Sequence, residues 1–186
     1  IASKSPPDAP ARYAHTAIAL HWLIALLIIC DFALGLGDDR HSRLHADKLK
    51  YFSWHKWIGV TVFALAVVRV LWRATHVPPP LPGGTPAWQR AASHGVHMLL
   101  YVLMIVIPVT GYLYSSASNI PVVYLGIVPL PRLIDPDPAL KETFKTLHVS
   151  LNYILLALVA MHVLAALKHQ LLDRDGLLSR MLPFAK

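Results

Sequence analysis

The sequence predicts an all-α fold, an integral membrane four-helix bundle, and three observations carry that expectation. Apolar residue types make up 55% of the 186 residues, and the mean hydropathy of +0.50 lies well above that of a soluble domain of this size. Four windows of about twenty apolar residues, the length that crosses hydrocarbon as a helix, can be drawn at 14–36, 54–73, 93–114 and 146–168. In the last of them His148 and His162 stand fourteen residues apart within one apolar run. At about 100° and 1.5 Å per residue, the second imidazole returns to within roughly 40° of the first and lies about 21 Å further along the axis. Two ligands on one face of a helix, one near each side of the membrane, is what two stacked haems require. Metal-binding side chains in so apolar a segment are costly to insert and mark function by default.

Short connections and no long polar stretch leave room for one domain, residues 14–172, between a tail at 1–13 and a tail at 173–186. The first tail, with Pro6, Pro7 and Pro10, is too polar for the apolar core of a signal peptide. Thr85-Pro86 is expected to open the third helix and Asp137-Pro138 the fourth, each pairing a capping residue with proline in the first turn. Helix four then runs from Pro138 towards Leu172. The second connection, VPPPLPGGT, reads as a stiff extended link. The third, residues 115–135, is apolar but carries too many prolines for a fifth span. It is expected either as a lid over one end of the bundle or as a loop half sunk in the headgroups. Cys30 is the single cysteine, so an intrachain disulfide, a cysteine-ligated cluster and covalent haem attachment are excluded.

Four spans put both termini on one side. Of the seventeen Lys and Arg residues nine fall on that side, which by the positive-inside rule makes the termini cytoplasmic. The outer side then holds Arg40, Arg43, Lys48, Lys50, Lys56, Arg132, Lys141 and Lys145. These cations either draw small anions to the outer surface or form a solvated face balanced by Asp38, Asp39, Asp47, Asp135, Asp137 and Glu142. No nucleic acid partner is expected; lipid is.

Depth decides which histidines pair. His21 lies seven residues into helix one and His162 six before the end of the antiparallel helix four, so both sit at a similar inner depth. His55 and His148 open helices two and four from the outer side. Neutral imidazoles on both axial positions give an iron suited to electron transfer, with no position left for a substrate. Gly59, one turn beyond His55, lets a flat cofactor approach the backbone, or serves a tight helix crossing. Arg69, fourteen residues after His55, is aimed at the inner level, where haem propionates would give it partners; snorkelling is the alternative. His94 and His97 share a face of helix three and suit proton exchange beside a quinone, alternative ligation of the inner iron, or simple polar contacts. His15 and His169 fall at interfaces, and His41, His45 and His76 in connections. Asp31 relays protons or pairs with a lysine.

These residues resemble the bacterial cytochrome b561 family, related to the cytochrome b subunits of membrane hydrogenases and formate dehydrogenases. The resemblance lies in ALHWLIALL around His21, SWHKWIGV with VVRVLWR around His55, SHGVHMLLYVLMIVIPVTGY in helix three, LHVSLNYILLALVAMHVLAALKH in helix four and DGLLSRMLP in the tail. It implies two non-covalent b-type haems, ligated by His21 with His162 and by His55 with His148. Its small stand-alone branch implies oxidation of superoxide to dioxygen with reduction of ubiquinone. Lys56, Lys141 and Lys145 would then steer the anion to the outer haem, and His94, His97 or Arg69 would lie near the quinone. A protein partner is possible but not required: the rival is a cytochrome subunit serving a dehydrogenase or hydrogenase. A metal transporter, a further rival, would gather three or four ligands at one depth.

Overall fold

The computed structural model describes residues 12–37, 45–81 and 84–184, with the backbone alone for 36–37 and 45–48. Lys4, Arg40, Arg43, Lys186, His41, Asp38 and Asp39 lie outside the described residues, as do the side chains of His45, Asp47 and Lys48. Four long helices, α1 (His15–Gly37), α2 (His45–Thr75), α3 (Ala87–Ala117) and α4 (Pro138–Lys168), form a membrane four-helix bundle. All four have stretches long and apolar enough to cross a membrane: His15–Gly35, Leu49–Thr75, Ala87–Ala117 and Pro138–Asp173. Large apolar side chains such as Leu26, Ile29, Val68, Leu71, Met98 and Leu164 are exposed on their outer surfaces. Lipid tails are as apolar as leucine, so such faces need no protein cover.

α2 starts well before residue 54 and α3 well before residue 93. An apolar window stops at the first charges, whereas the backbone continues through helix-compatible residues such as Ala46, Lys48, Leu49 and Lys50. At the start of α4, Asp137 is the N-cap and its carboxylate accepts the amides of Ala139 and Leu140 at 2.7 and 2.9 Å. At the start of α3 the capping position falls on Pro86, one residue later than Thr85-Pro86 implied, and no side chain caps it. α3 continues through Pro108, whose missing N–H leaves the Met104 carbonyl without its helical partner.

Close backbone packing joins α1 to α2, α2 to α3 and α3 to α4. α4 does not approach α1 or α2 in this way. The core cluster of Leu103, Ile107 and Leu155, flanked by Ile28, Leu100, Leu151 and Leu158, lies midway along the bundle. Leu155 is seven residues from His148 and seven from His162, so an apolar layer separates the two histidine levels.

The third connection closes the end of the bundle remote from the termini, as a lid. It contains a short antiparallel hairpin of β1 (Val123–Tyr124) and β2 (Val128–Pro129). Its turn places Leu125 and Gly126 at φ of 53° and 73°, the left-handed pair that matches strand twist in a tight hairpin. The Trp57 indole donates to the Val123 carbonyl at 2.7 Å, the Tyr124 hydroxyl meets Thr61 at 3.0 Å, and Val122 is buried. At the opposite end α4 runs on into a π-turn, His169–Asp173, and the chain folds back through a 3₁₀ turn at Ser179–Met181. Replacing the cap, Asp137→Ala, is expected to lower stability by about 1 kcal/mol. A thermal melt of the purified protein should show a lower midpoint, and an unchanged one contradicts the capping role.

Candidate functional site

Two pairs of imidazoles face each other across the two gaps that α4 leaves. At the hairpin end, the rings of His55 on α2 and His148 on α4 are 6.1 Å apart between centroids. At the terminal end, the rings of His21 on α1 and His162 on α4 are 6.3 Å apart. An iron with an axial nitrogen on each side, at about 2 Å per bond, sets imidazole centroids roughly 6 Å apart. Both separations fit that group, and the wide helix pairs are the ones that carry the facing rings.

The hairpin-end imidazoles are held by their second nitrogens. His148 Nδ1 lies 3.0 Å from the Ile107 carbonyl and 3.2 Å from the Thr110 hydroxyl, which itself donates to Ile107 at 2.8 Å. A carbonyl only accepts, so Nδ1 carries the proton and Nε2 is left with a lone pair for a metal. His55 Nδ1 donates to the Asp31 carbonyl at 3.3 Å, with the Asp31 carboxylate 2.9 Å away but without hydrogen-bond geometry. Asp31 therefore meets a histidine rather than a lysine. A cavity of about 400 Å³ opens around this pair, lined among others by Gly35, Gly59, Met104, Gly111, Asn152 and Tyr153. At Gly111 a Cβ would stand 2.9 Å from His148 Cε1, so this position admits only a hydrogen beside the ring. Gly59 lines the same cavity and faces the Asp31 carboxylate, where a Cβ would sit in ordinary contact at 3.9 Å.

At the terminal end a third imidazole joins the pair. His97 on α3 is 5.3 Å from the His162 ring, although much of its surface is exposed. His94 is exposed on the same helix. Arg69 is half-buried, and its Nε donates to the Tyr101 hydroxyl at 3.1 Å, tying α2 to α3. Three imidazoles at one level match the ligand count of a transporter site, but their nitrogens are too far apart to share one small ion. Among the described residues only His169, Asp173 and Asp175 bring three ligand atoms within 4.8 Å of one another.

Of the cationic residues singled out by sequence, Lys56 and Lys145 line the hairpin-end cavity. Lys56 also lies over the Phe52 ring, 4.8 Å from its centroid. Lys141 is on the first turn of α4 and is not among the lining residues. The bond from His55 to Asp31, and the roles of Thr110, Gly111 and Tyr101, are site features that sequence reasoning missed. Thr110 and Gly111 stand in IPVTGY, a stretch whose proline, hydroxyl and glycine are visible, but whose register against His148 depends on the packing of α3 on α4.

A membrane bundle with facing imidazoles in its interior is the architecture of an electron-transfer cytochrome of the b type. The chain belongs to the prokaryotic cytochrome b561 family, whose pattern it matches over residues 12–184. It is 36% identical over 176 residues to cytochrome b561 homolog 2 of Escherichia coli K12, covering 94% of this chain and 93% of that one. Cytochrome b561 homolog 1 of the same organism is 27% identical over 175 residues, 94% of this chain and 99% of that one. A Yersinia pestis protein named "Probable superoxide oxidase CybB" is 27% identical over 178 residues, 92% of this chain and 96% of that one. Membership implies haem b binding and membrane electron transfer.

Gly111→Ala is expected to push the His148 ring off its carbonyl partner and lower the haem content of the purified protein. A pyridine haemochrome assay measures this, and an unaltered haem content and spectrum would contradict the assigned crowding.

Proposed function

We propose that the protein carries electrons across the bilayer between two haems b, oxidising superoxide to dioxygen at the outer face and reducing ubiquinone. Two superoxide anions give one electron each, and ubiquinone takes both electrons with two protons to become ubiquinol. The observation that carries the reading is the stacking of two imidazole pairs, at 6.1 and 6.3 Å, on a single continuous helix. The ligands are His55 with His148 towards the outer side and His21 with His162 towards the cytoplasmic side, where both termini are placed. Held between these imidazoles, each haem would supply a one-electron carrier, so the chemistry there would be exchange of electrons rather than coordination of substrate.

The chain's own residues do the rest. Ile107, Thr110 and Asp31 hold the outer imidazoles in the tautomer and direction that ligation needs. Gly59 and Gly111 keep side-chain bulk away from the outer cavity. Lys56 and Lys145 line that cavity and place positive charge where a small anion must arrive, with Lys141 one turn further out. The name of the Yersinia pestis relative supports the choice of superoxide as donor. On the inner side His97 and His94 are the proton-exchanging groups assigned to quinone, and Arg69 the cation that keeps the inner level positive.

Stopped-flow reduction of the oxidised protein by superoxide, with and without added ubiquinone, tests the donor and the acceptor. Reduction of the haems followed by reoxidation with quinone is expected. Haems that stay oxidised would contradict the superoxide reading and favour a cytochrome subunit fed by a dehydrogenase partner. His162→Ala should lose one haem and keep the other; retention of both refutes the pairing. Charge reversal at Lys56 and Lys145 together should slow the reaction with superoxide more at low salt than at high salt, because screening removes the attraction. Equal rates in the variant and the wild type at low salt would end the steering role.

A further inference from the structure

The C-terminal segment that carries DGLLSRMLP has no task in the electron-transfer reading, yet it is tightly placed. The Tyr13 amide donates to the Arg180 carbonyl at 3.4 Å, the Trp22 indole to Met181 at 2.8 Å and the Arg12 guanidinium to Leu182 at 2.8 Å. Arg180 Nη1 donates to the Pro80 carbonyl at 2.7 Å, in the link between α2 and α3. The segment is thus a strap from the end of α4 to the start of α1. These are the two helices that carry His162 and His21, and Trp22 is the neighbour of His21. Backbone carbonyls account for the strap's course; they do not account for an arginine at its centre.

Arg180 is 8% exposed, and its Nε is buried without a hydrogen-bond partner among the described residues. A guanidinium is always charged and offers five N–H donors, and burying one without a counter-charge is strongly unfavourable. The described carboxylates at this end, Asp173 and Asp175, are engaged elsewhere. Asp173 meets Lys168 at 2.6 Å and His169 at 3.1 Å, and Asp175 meets His169 at 2.6 Å and the Leu177 amide at 3.0 Å. No ion pair among the described residues includes Arg180. One neutral carbonyl satisfies one N–H and none of the charge. The remaining donors call for an oxyanion that the described chain does not supply.

We infer that the strap forms an oxyanion site on Arg180 that receives a propionate of the haem held by His21 and His162. The inference rests on the bis-histidine reading of that pair. A lipid phosphate has the same chemistry and is the other source of such a group. A guanidinium paired with a propionate forms charge-assisted hydrogen bonds and keeps positive charge near the inner iron, which favours its reduced form.

The test uses the full-length, haem-loaded protein with Arg180→Gln and Arg180→Lys. Redox titration should show a lower midpoint potential for the haem that His162→Ala removes, no shift for the other, and recovery of most of the shift in Arg180→Lys. Redox-difference infrared spectra with ¹³C-propionate haem should show a carboxylate band in the wild type that moves in Arg180→Gln. Unchanged potential and band, with a co-purifying phospholipid lost from Arg180→Gln, would overturn the inference in favour of lipid. Unchanged potential, band and phosphorus content would overturn it in favour of a purely structural staple. Where Arg180→Gln does not accumulate, an identical carboxylate band in wild type and Arg180→Lys overturns it. A wild-type protein that holds no haem at the His21 and His162 level fails on the underlying reading instead, which the same titration reveals separately.

Discussion

Inside hydrocarbon every backbone polar group must be satisfied by the helix itself, so α4 cannot bend or loop to place its histidines where they are wanted. Their direction and separation are set by helical geometry alone, at about 21 Å for fourteen residues. The neighbours have to adapt. α1 and α2 stand away from α4, leaving the gaps in which the imidazoles face one another, and α3 takes over the close packing that α4 still needs. This is why the compact core of Leu103, Ile107 and Leu155 belongs to α3 and α4 and sits between the two histidine levels.

The same contact gives α3 a second role. Ile107 is part of the core and its carbonyl accepts the Nδ1 proton of His148, and Thr110 and Gly111 follow within one turn. Packing and imidazole orientation are therefore served by one stretch of helix. The two levels differ in how they are held. His55 and His148 are oriented by hydrogen bonds to backbone carbonyls, whereas His21 and His162 have ring contacts, with Trp22 and His97, and no comparable hydrogen bond among the described residues. A hydrogen bond from the far nitrogen of a ligating imidazole raises its basicity, so as ligands the two pairs would form chemically distinct centres on one scaffold.

Much of this was legible in the sequence because membrane helices announce themselves by length and because depth is arithmetic. The four spans and the facing of His21 with His162 and of His55 with His148 follow from counting residues along antiparallel helices. What counting does not supply is rotation about the helix axis. The register that brings Gly111 against His148, Asp31 against His55 and Tyr101 against Arg69 is a property of packed pairs, and no single helix encodes it. The hairpin at 123–129 was hidden for another reason: its turn is Leu125-Gly126, without the asparagine or aspartate that marks such turns, inside a run too rich in proline to read as strand. The helix start at 45 was missed because polar turns outside the membrane carry no apolar signal, whereas Thr85-Pro86 marked the start at 87 to within one residue.

The account stands on one helix supplying a ligand to each of two irons. Haem per chain, measured by pyridine haemochrome against amino-acid analysis, together with low-temperature electron paramagnetic resonance of the oxidised protein, tests that most directly. Two haems b per chain with two low-spin signals of bis-imidazole type are predicted. A single haem, or a high-spin iron with an open axial position, would contradict it.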